Sequence, residues 1–447
     1  MKKNLLIVIL FLSTICFCSC EQTKNDNDFD YHQYVIDYVD NLLSGNYQAC
    51  TIDFNQEMLS ALPVEKLQQA WEQTIASTGD FKQIEKIETA NNSGYQQVMA
   101  YCRFSKSGVK VTISFDDNNQ VAGLFFSYYN PDQLNATLPD GLEEIDVKLN
   151  QGSEWELAGK ITRQSTGQST VAVVLVHGSG PGDMDESIYA NKPFRDIAWG
   201  LAKQGIDVLR YDKRTYTYGS KMADMTDSIT VKEETTDDAI TAGQLLRDQG
   251  YNQVYIVGYS LGGMLAPRIA LQSGGIFSGL IILAGSPRPL TDIIIDQNKA
   301  VIAALSDKNE IVKNQQLLTA EKEKLSQLPN WSESELAKNT VFGIPANYVK
   351  EIQSYDAAAI AQSIHKPFLI LQGDDDVQIS PKEDFTAWET VLAGNPQAEF
   401  FLYPGLNHLF MPSHGSDINS VIEEYQIAAN VDQRVIDDMA AFIKKSQ

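Results

Sequence analysis

Gly258-Tyr259-Ser260-Leu261-Gly262 fits G-x-S-x-G, the spacing that sets a serine on a sharp turn between a strand and a helix. The backbones crowd such a turn, and only glycine at Gly258 and Gly262 leaves room for their approach. A serine hydroxyl is a weak nucleophile. It needs a base within hydrogen-bond reach, and a carboxylate to orient that base. For a nucleophile on this turn the partners follow in chain order, acid first and histidine second. Of five histidines, His32 lies near the N-terminus, and His177 and His365 occupy other positions. His408 and His414 fall beyond the last strand-like run. His408, in the loop Pro404-Gly405-Leu406-Asn407-His408, is favoured over His414 as the base. The acid belongs at the carboxyl end of the strand before. There 368–373 runs into Asp374-Asp375-Asp376, and three adjacent carboxylates leave the choice open.

Attack on an acyl carbon also creates an oxyanion, which requires prepositioned N–H donors worth ~3–4 kcal/mol each. The N–H of Leu261, directly after the nucleophile, is one candidate. The other is the N–H of Ser179, in His177-Gly178-Ser179-Gly180 after the apolar run 171–176. Gly178, Gly180 and Gly182 invite a second reading, a phosphate cradle. Pro181 removes a donor, Asp183 and Asp185 repel phosphate, and the spacing is not G-x-G-x-x-G.

These residues need a sheet to hold them. Strand-like runs at 171–176, 206–211, 254–257, 280–283, 367–371 and 399–403 alternate with helical spacing at 194–204, 237–248, 260–272, 384–392 and 433–444. That alternation predicts an α/β fold around a mostly parallel sheet. Runs 145–149 and 156–162 read as an antiparallel pair at its edge. Segment 291–355 breaks the alternation. It is helix-rich, carries Glu321-Lys322-Glu323-Lys324, and follows a strand, so it is placed as a lid over the carboxyl ends of the sheet. Trp331, Phe342, Ile344 and Tyr348 are candidates for the acyl-side pocket or for the lid's own core.

Before this domain, 29–130 reads as a small α+β unit. Apolar spacing predicts helices from Tyr31 to Leu43 and over 59–75, with Trp71 as the anchor of the second. Strand-like runs follow at 81–89, 95–104, 109–115 and 121–128, with turns at 91–94 and 116–119. It carries no constellation of catalytic residue types, and reads as a spacer, a pocket wall or a surface for homo-oligomer formation. A linker spans 131–142, with Pro131 and Pro139. The chain has 447 residues, 43% of them hydrophobic and 21% charged, which suits two globular domains. A net charge of −23 excludes binding to nucleic acid or to anionic lipid as a main activity. Cys50 and Cys102 lie far from Ser260 and read as two separate buried thiols, with pairing in an oxidising compartment as the alternative.

At the N-terminus, Lys2 and Lys3 precede an apolar stretch from Leu5 to Ile15, too short to span a membrane as a mature helix. Phe17-Cys18-Ser19-Cys20 resembles the lipobox of bacterial lipoproteins, with Phe17 where leucine is usual. The resemblance implies lipidation at Cys20, a polar tether over 21–28 and residence in the cell envelope. The small domain resembles the cystatin-like DUF3887 type. From 143 to 447 the chain resembles the α/β-hydrolase superfamily, and within it the EstD-type carboxylesterases, a branch also labelled serine aminopeptidase-like. The closer match is carried by Val174 to Pro181, Asn191-Lys192-Pro193-Phe194-Arg195-Asp196, Leu209-Arg210-Tyr211-Asp212-Lys213-Arg214-Thr215, the serine motif and Gly343-Ile344-Pro345. The resemblance selects Asp376, three residues after Gly373, as the acid. It implies acyl-serine cleavage of a small-molecule ester with no metal or cofactor. Structural and catalytic roles are equally open for Lys192, Arg195, Asp212, Lys213 and Arg214, and buried ion pairs bracing the site loops would explain them. Expected substrates are small acyl or acylated-sugar esters. The alternatives are a peptidase or amidase on the same residues and an inactive surface binding protein.

Overall fold

A computed structural model describes residues 29–446 except 93, 94, 135, 226 and 227. The whole N-terminal leader with Cys20, and Ser93 and Gly94 of one expected turn, lie outside the described residues.

Val171–Val176 is six apolar residues in a row, all buried. Such a run has no face for water and belongs inside a parallel sheet covered on both sides. The period of two divides it. Val171, Val173 and Leu175 join one core cluster, with the helices Pro193–Lys203 and Gln433–Lys445. Ala172, Val174 and Val176 join the other, with the helices Asp237–Asp248 and Leu261–Gln272.

Four antiparallel strands come first in the chain: β1 (Phe81–Asn92), β2 (Tyr95–Phe104), β3 (Gly108–Phe115) and β4 (Val121–Tyr129). The large sheet contains β5 (Leu142–Leu149), β6 (Leu157–Gln164), β7 (Val171–Val176), β8 (Asp207–Tyr211), β9 (Gln253–Tyr259) and β10 (Gly279–Leu283). A short ribbon, β11 (Thr340–Val341) with β12 (Ile344–Pro345), lies in the lid. The large sheet is completed by β13 (Phe368–Gly373) and β14 (Ala398–Tyr403). Its order is β14-β13-β10-β9-β7-β8-β6-β5, with β5 and β6 as the expected antiparallel edge. Chain direction across the sheet reverses between β8 and β9, which flank β7. Beyond the carboxyl ends of strands at such a reversal lies the crevice where open α/β sheets bind ligands.

Helices Tyr31–Leu43 and Val64–Ile75 pack on the β1–β4 sheet around Trp71. The helix expected over 59–75 is broken into Gln56–Ala61 and Val64–Ile75. Pro63 is the reason. It bars the residue before it from helical geometry and serves as the N-cap of the second helix. Cys50 and Cys102 are free and buried, and burial pushes each thiol up to about 12. The two domains meet where the Tyr128 and Tyr189 rings lie 5.1 Å apart and where Ala428 N–H donates to Lys106 O at 3.1 Å.

The lid is built of helices Leu290–Ala304, Lys308–Gln327, Glu333–Leu336 and Ala346–Gln353. Glu321, inside the charged run, is not a surface residue. It is buried, and its carboxylate accepts the Phe342 N–H at 2.6 Å.

Candidate active site

Ser260 directly follows β9 and caps the helix Leu261–Gln272, with φ 53° and ψ −114°. A non-glycine residue there is strained by about 1–3 kcal/mol. The neighbours that hold it leave no space. A Cβ on Gly258 would lie 2.3 Å from Gly262 O, and one on Gly262 would lie 2.4 Å from Val176 O. Ser260 N–H donates to Leu283 O at 2.8 Å, which ties the turn to β10.

His408 and Asp376 arrive from separate loops after β14 and β13. His408 Nδ1 and Asp376 Oδ2 are 2.7 Å apart, and both residues are buried. Asp376 Oδ1 accepts the N–H groups of Gln378 and Ile379 at 2.8 and 2.9 Å, and Oδ2 also accepts Gln372 Nε2 at 2.6 Å. Asp374 and Asp375 are exposed. The loop bearing His408 lies on Gly373, where a Cβ would stand 2.2 Å from Leu406 O. Asn407 shapes that loop by accepting the Leu409 and Met411 N–H groups. With Nδ1 engaged, Nε2 is the ring nitrogen left for the serine. Ser260 and His408 line one cavity of about 950 Å³ together with Ser179 and Leu261. Among the described residues the Ser260 hydroxyl has no hydrogen bond closed to Nε2, a bond that unliganded sites often hold long.

The other histidines are elsewhere. His414 is exposed, and its backbone N–H donates to Glu424. His177 is buried, its Nε2 lies 3.0 Å from Asp183 O, and desolvation lowers its pKa to about 3. It is neutral and structural.

Ser179 lies on a loop gripped from two sides. Glu186 Oε1 accepts the Gly178 N–H at 3.2 Å. Lys213 Nζ donates to Gly178 O, Gly180 O and Glu234 Oε1 at 2.8, 2.9 and 2.7 Å. Desolvation pushes Glu186 up to about 7, and among the described residues its Oε2 has no hydrogen-bond partner. Three other basic residues of the motif stand beside carboxylates. Lys192 pairs with Asp185 at 2.9 Å, Arg214 with Asp238, and Arg195 with Asp196 at 3.7 Å. Asp212 is in no ion pair among the described residues; it accepts the Met184 N–H at 2.8 Å, and burial raises it to about 6.

Ile344 and Tyr348 line the cavity, whereas Trp331 and Phe342 belong to the lid's own packing. Sequence reasoning missed Glu186, Glu234 and the wall formed by Arg214–Thr217 and Gly219–Ala223. Lone acids without a motif carry no signal, and four- and five-residue helices are shorter than any hydrophobic period can register.

A family described as "Alpha/beta hydrolase family" matches residues 173–420, and one described as "Protein of unknown function (DUF3887)" matches 36–124. A curated relative, "Esterase EstD" of Thermotoga maritima, is 33% identical over 415 residues, covering 91% of this chain and 94% of the relative. Among solved structures, an esterase of Pyrococcus furiosus, PF2001, is 17% identical with a TM-score of 0.42, over 68% of this chain and 91% of its own. Est1E from Butyrivibrio proteoclasticus is 15% identical with a TM-score of 0.40, over 67% and 99%.

Proposed function

From a chain that belongs to the alpha/beta hydrolase family, we propose a carboxylic ester hydrolase that works through an acyl-enzyme on Ser260. His408 Nε2 takes the hydroxyl proton as Ser260 Oγ attacks the ester carbonyl. The N–H groups of Leu261 and Ser179 receive the oxyanion. The intermediate collapses, the C–O bond breaks, and the alcohol leaves with the proton from His408. Water, deprotonated by His408, then attacks the acyl group, and the acid departs as Ser260 recovers its proton. Asp376 holds the tautomer with hydrogen on Nδ1 and stabilises the imidazolium. The observation that carries this reading is the 2.7 Å Asp376–His408 pair at the wall of the cavity that Ser260 lines.

Met222, Ile293, Ile294, Ile344 and Ile379 form the apolar wall. A cavity of this size and character supports a bulkier acyl group than the small acyl esters that the sequence alone suggests. Ser260→Ala should abolish turnover of p-nitrophenyl esters from acetate to octanoate while folding as wild type. Retained turnover would end the proposal. The amidase alternative predicts turnover of an aminoacyl-anilide as well as of the matching ester, both lost in Ser260→Ala; an anilide left uncleaved while the ester turns over excludes it. We further propose export and lipid anchoring at Cys20, supported by the basic and apolar start and by Phe17-Cys18-Ser19-Cys20. Palmitate labelling equal in wild type and Cys20→Ala would refute it.

A further inference from the structure

A peptide unit is rigid, planar and trans, so its C=O and N–H point in opposite directions from one plate. The carbonyl of Gly178 and the N–H of Ser179 belong to the same unit. Lys213 Nζ sits 2.8 Å from that carbonyl oxygen. Whatever holds the carbonyl therefore aims the N–H. It also strengthens it, because a cation on the oxygen polarises the amide and makes its N–H a better donor, the more so where water is excluded. Lys213 is 2% exposed. All three of its protons are used, on Gly178 O, Gly180 O and Glu234 Oε1.

Glu234 has a second oxygen, and its partner comes from the lid. Tyr348 donates its hydroxyl to Glu234 Oε2 at 2.5 Å. Tyr348 lies on the helix Ala346–Gln353, and Tyr348, Glu234 and Gly178 all line the cavity. A buried chain thus runs from lid to site: the Tyr348 hydroxyl to the Glu234 carboxylate, that carboxylate to the Lys213 ammonium, and the ammonium to the peptide that ends in the Ser179 N–H.

We propose that Lys213 is a positioning residue that aims and polarises the oxyanion donor at Ser179, and that Tyr348 couples the lid to it by sharing the charge of Glu234. This rests on the acyl-serine reading above. Without the phenol, the whole of Glu234's charge acts on Lys213 and draws the ammonium off Gly178 O. The donor then weakens where charge develops, in the transition state, with little change in ground-state binding.

The test compares wild type with Tyr348→Phe on a p-nitrophenyl ester, and measures inhibition by a trifluoromethyl ketone, whose serine adduct carries the oxyanion. The expected result is a fall in kcat of about tenfold with KM within about twofold, and inhibitor binding weakened by about the same factor as kcat. The double variant Lys213→Met with Glu234→Gln removes both charges, so neither is buried alone. It should lose about a hundredfold in kcat, with a matching loss for the ketone. Unchanged kcat in Tyr348→Phe, a rise confined to KM, or a fall in kcat that leaves the ketone's affinity intact would each overturn the inference. A wild-type enzyme inert toward every ester would instead overturn the proposed reaction, and this inference with it.

Discussion

Asp376 accepts four hydrogen bonds, one of them from His408, while Asp374 and Asp375 stand exposed beside it. Asp376→Asn should therefore cost about 10⁴-fold in kcat by favouring the wrong histidine tautomer, and Asp375→Asn no more than about twofold; steady-state kinetics on one ester separates them. Glu186 makes a different prediction. Its folded pKa of about 7 lies above the ordinary value of 4.5, so the folded state holds the proton more tightly than the unfolded chain. The stability this gives is whole below the unfolded value and is lost as pH rises through about 7. The groups facing it are Lys213, His177 and Asp183; the first opposes the shift, His177 is neutral, and Asp183 adds to it. Glu186→Gln keeps the shape and cannot ionise. Its stability relative to wild type should climb between about pH 5 and pH 8, by on the order of 3 kcal/mol. Urea denaturation across that range reads it; a flat difference would refute it.

The strand–serine–helix element was legible from residue types because each of its requirements is local. An apolar run, two glycines and a helical face all fall between Gln253 and Gln272. The glycines make a sharp prediction. A Cβ on Gly262 would meet two backbone carbonyls, Val176 O at 2.4 Å and His177 O at 2.6 Å, and backbone cannot swing aside as a side chain can. Gly262→Ala should destabilise by more than about 3 kcal/mol and abolish labelling by a fluorophosphonate probe. The helix over 59–75 shows where periodicity misleads. Apolar spacing ran through Pro63, and the chain obeyed the proline. The lid lies between. Its helices and its place followed from the interrupted alternation. Which of its residues face the cavity did not, because Trp331, Phe342, Ile344 and Tyr348 are all apolar or aromatic and differ only in the packing around them.

Across the whole molecule, the segment 424–430 joins the small domain, the sheet and the histidine loop. Asn191 Nδ2 donates to Tyr425 O and Ile427 O at 2.7 and 3.1 Å, and its Oδ1 accepts the Ala429 N–H at 2.8 Å. From the same segment Ala428 binds Lys106 of the small domain, and Glu424 accepts from Asn407, next to His408. Asn191→Ala removes these three hydrogen bonds and should cost about 2–3 kcal/mol, with a fall in kcat, measured by urea denaturation and ester turnover. The sequence by itself determined the two-domain order, the α/β layering, Ser260 with its glycines and the rank of His408, because backbone sterics and hydrophobic period act between near neighbours. Only the tertiary structure decided the environment of Asp376 among three acids, the buried grip of Lys213 and Glu186 on the loop of Ser179, and the reach of Tyr348 from the lid to Glu234. Lys213 and Gly178 are 35 positions apart, and Tyr348 and Glu234 are 114; even the eight-residue contact of Glu186 with Gly178 depends on burial and charge pairing that exist only once the sheet has brought the loops together.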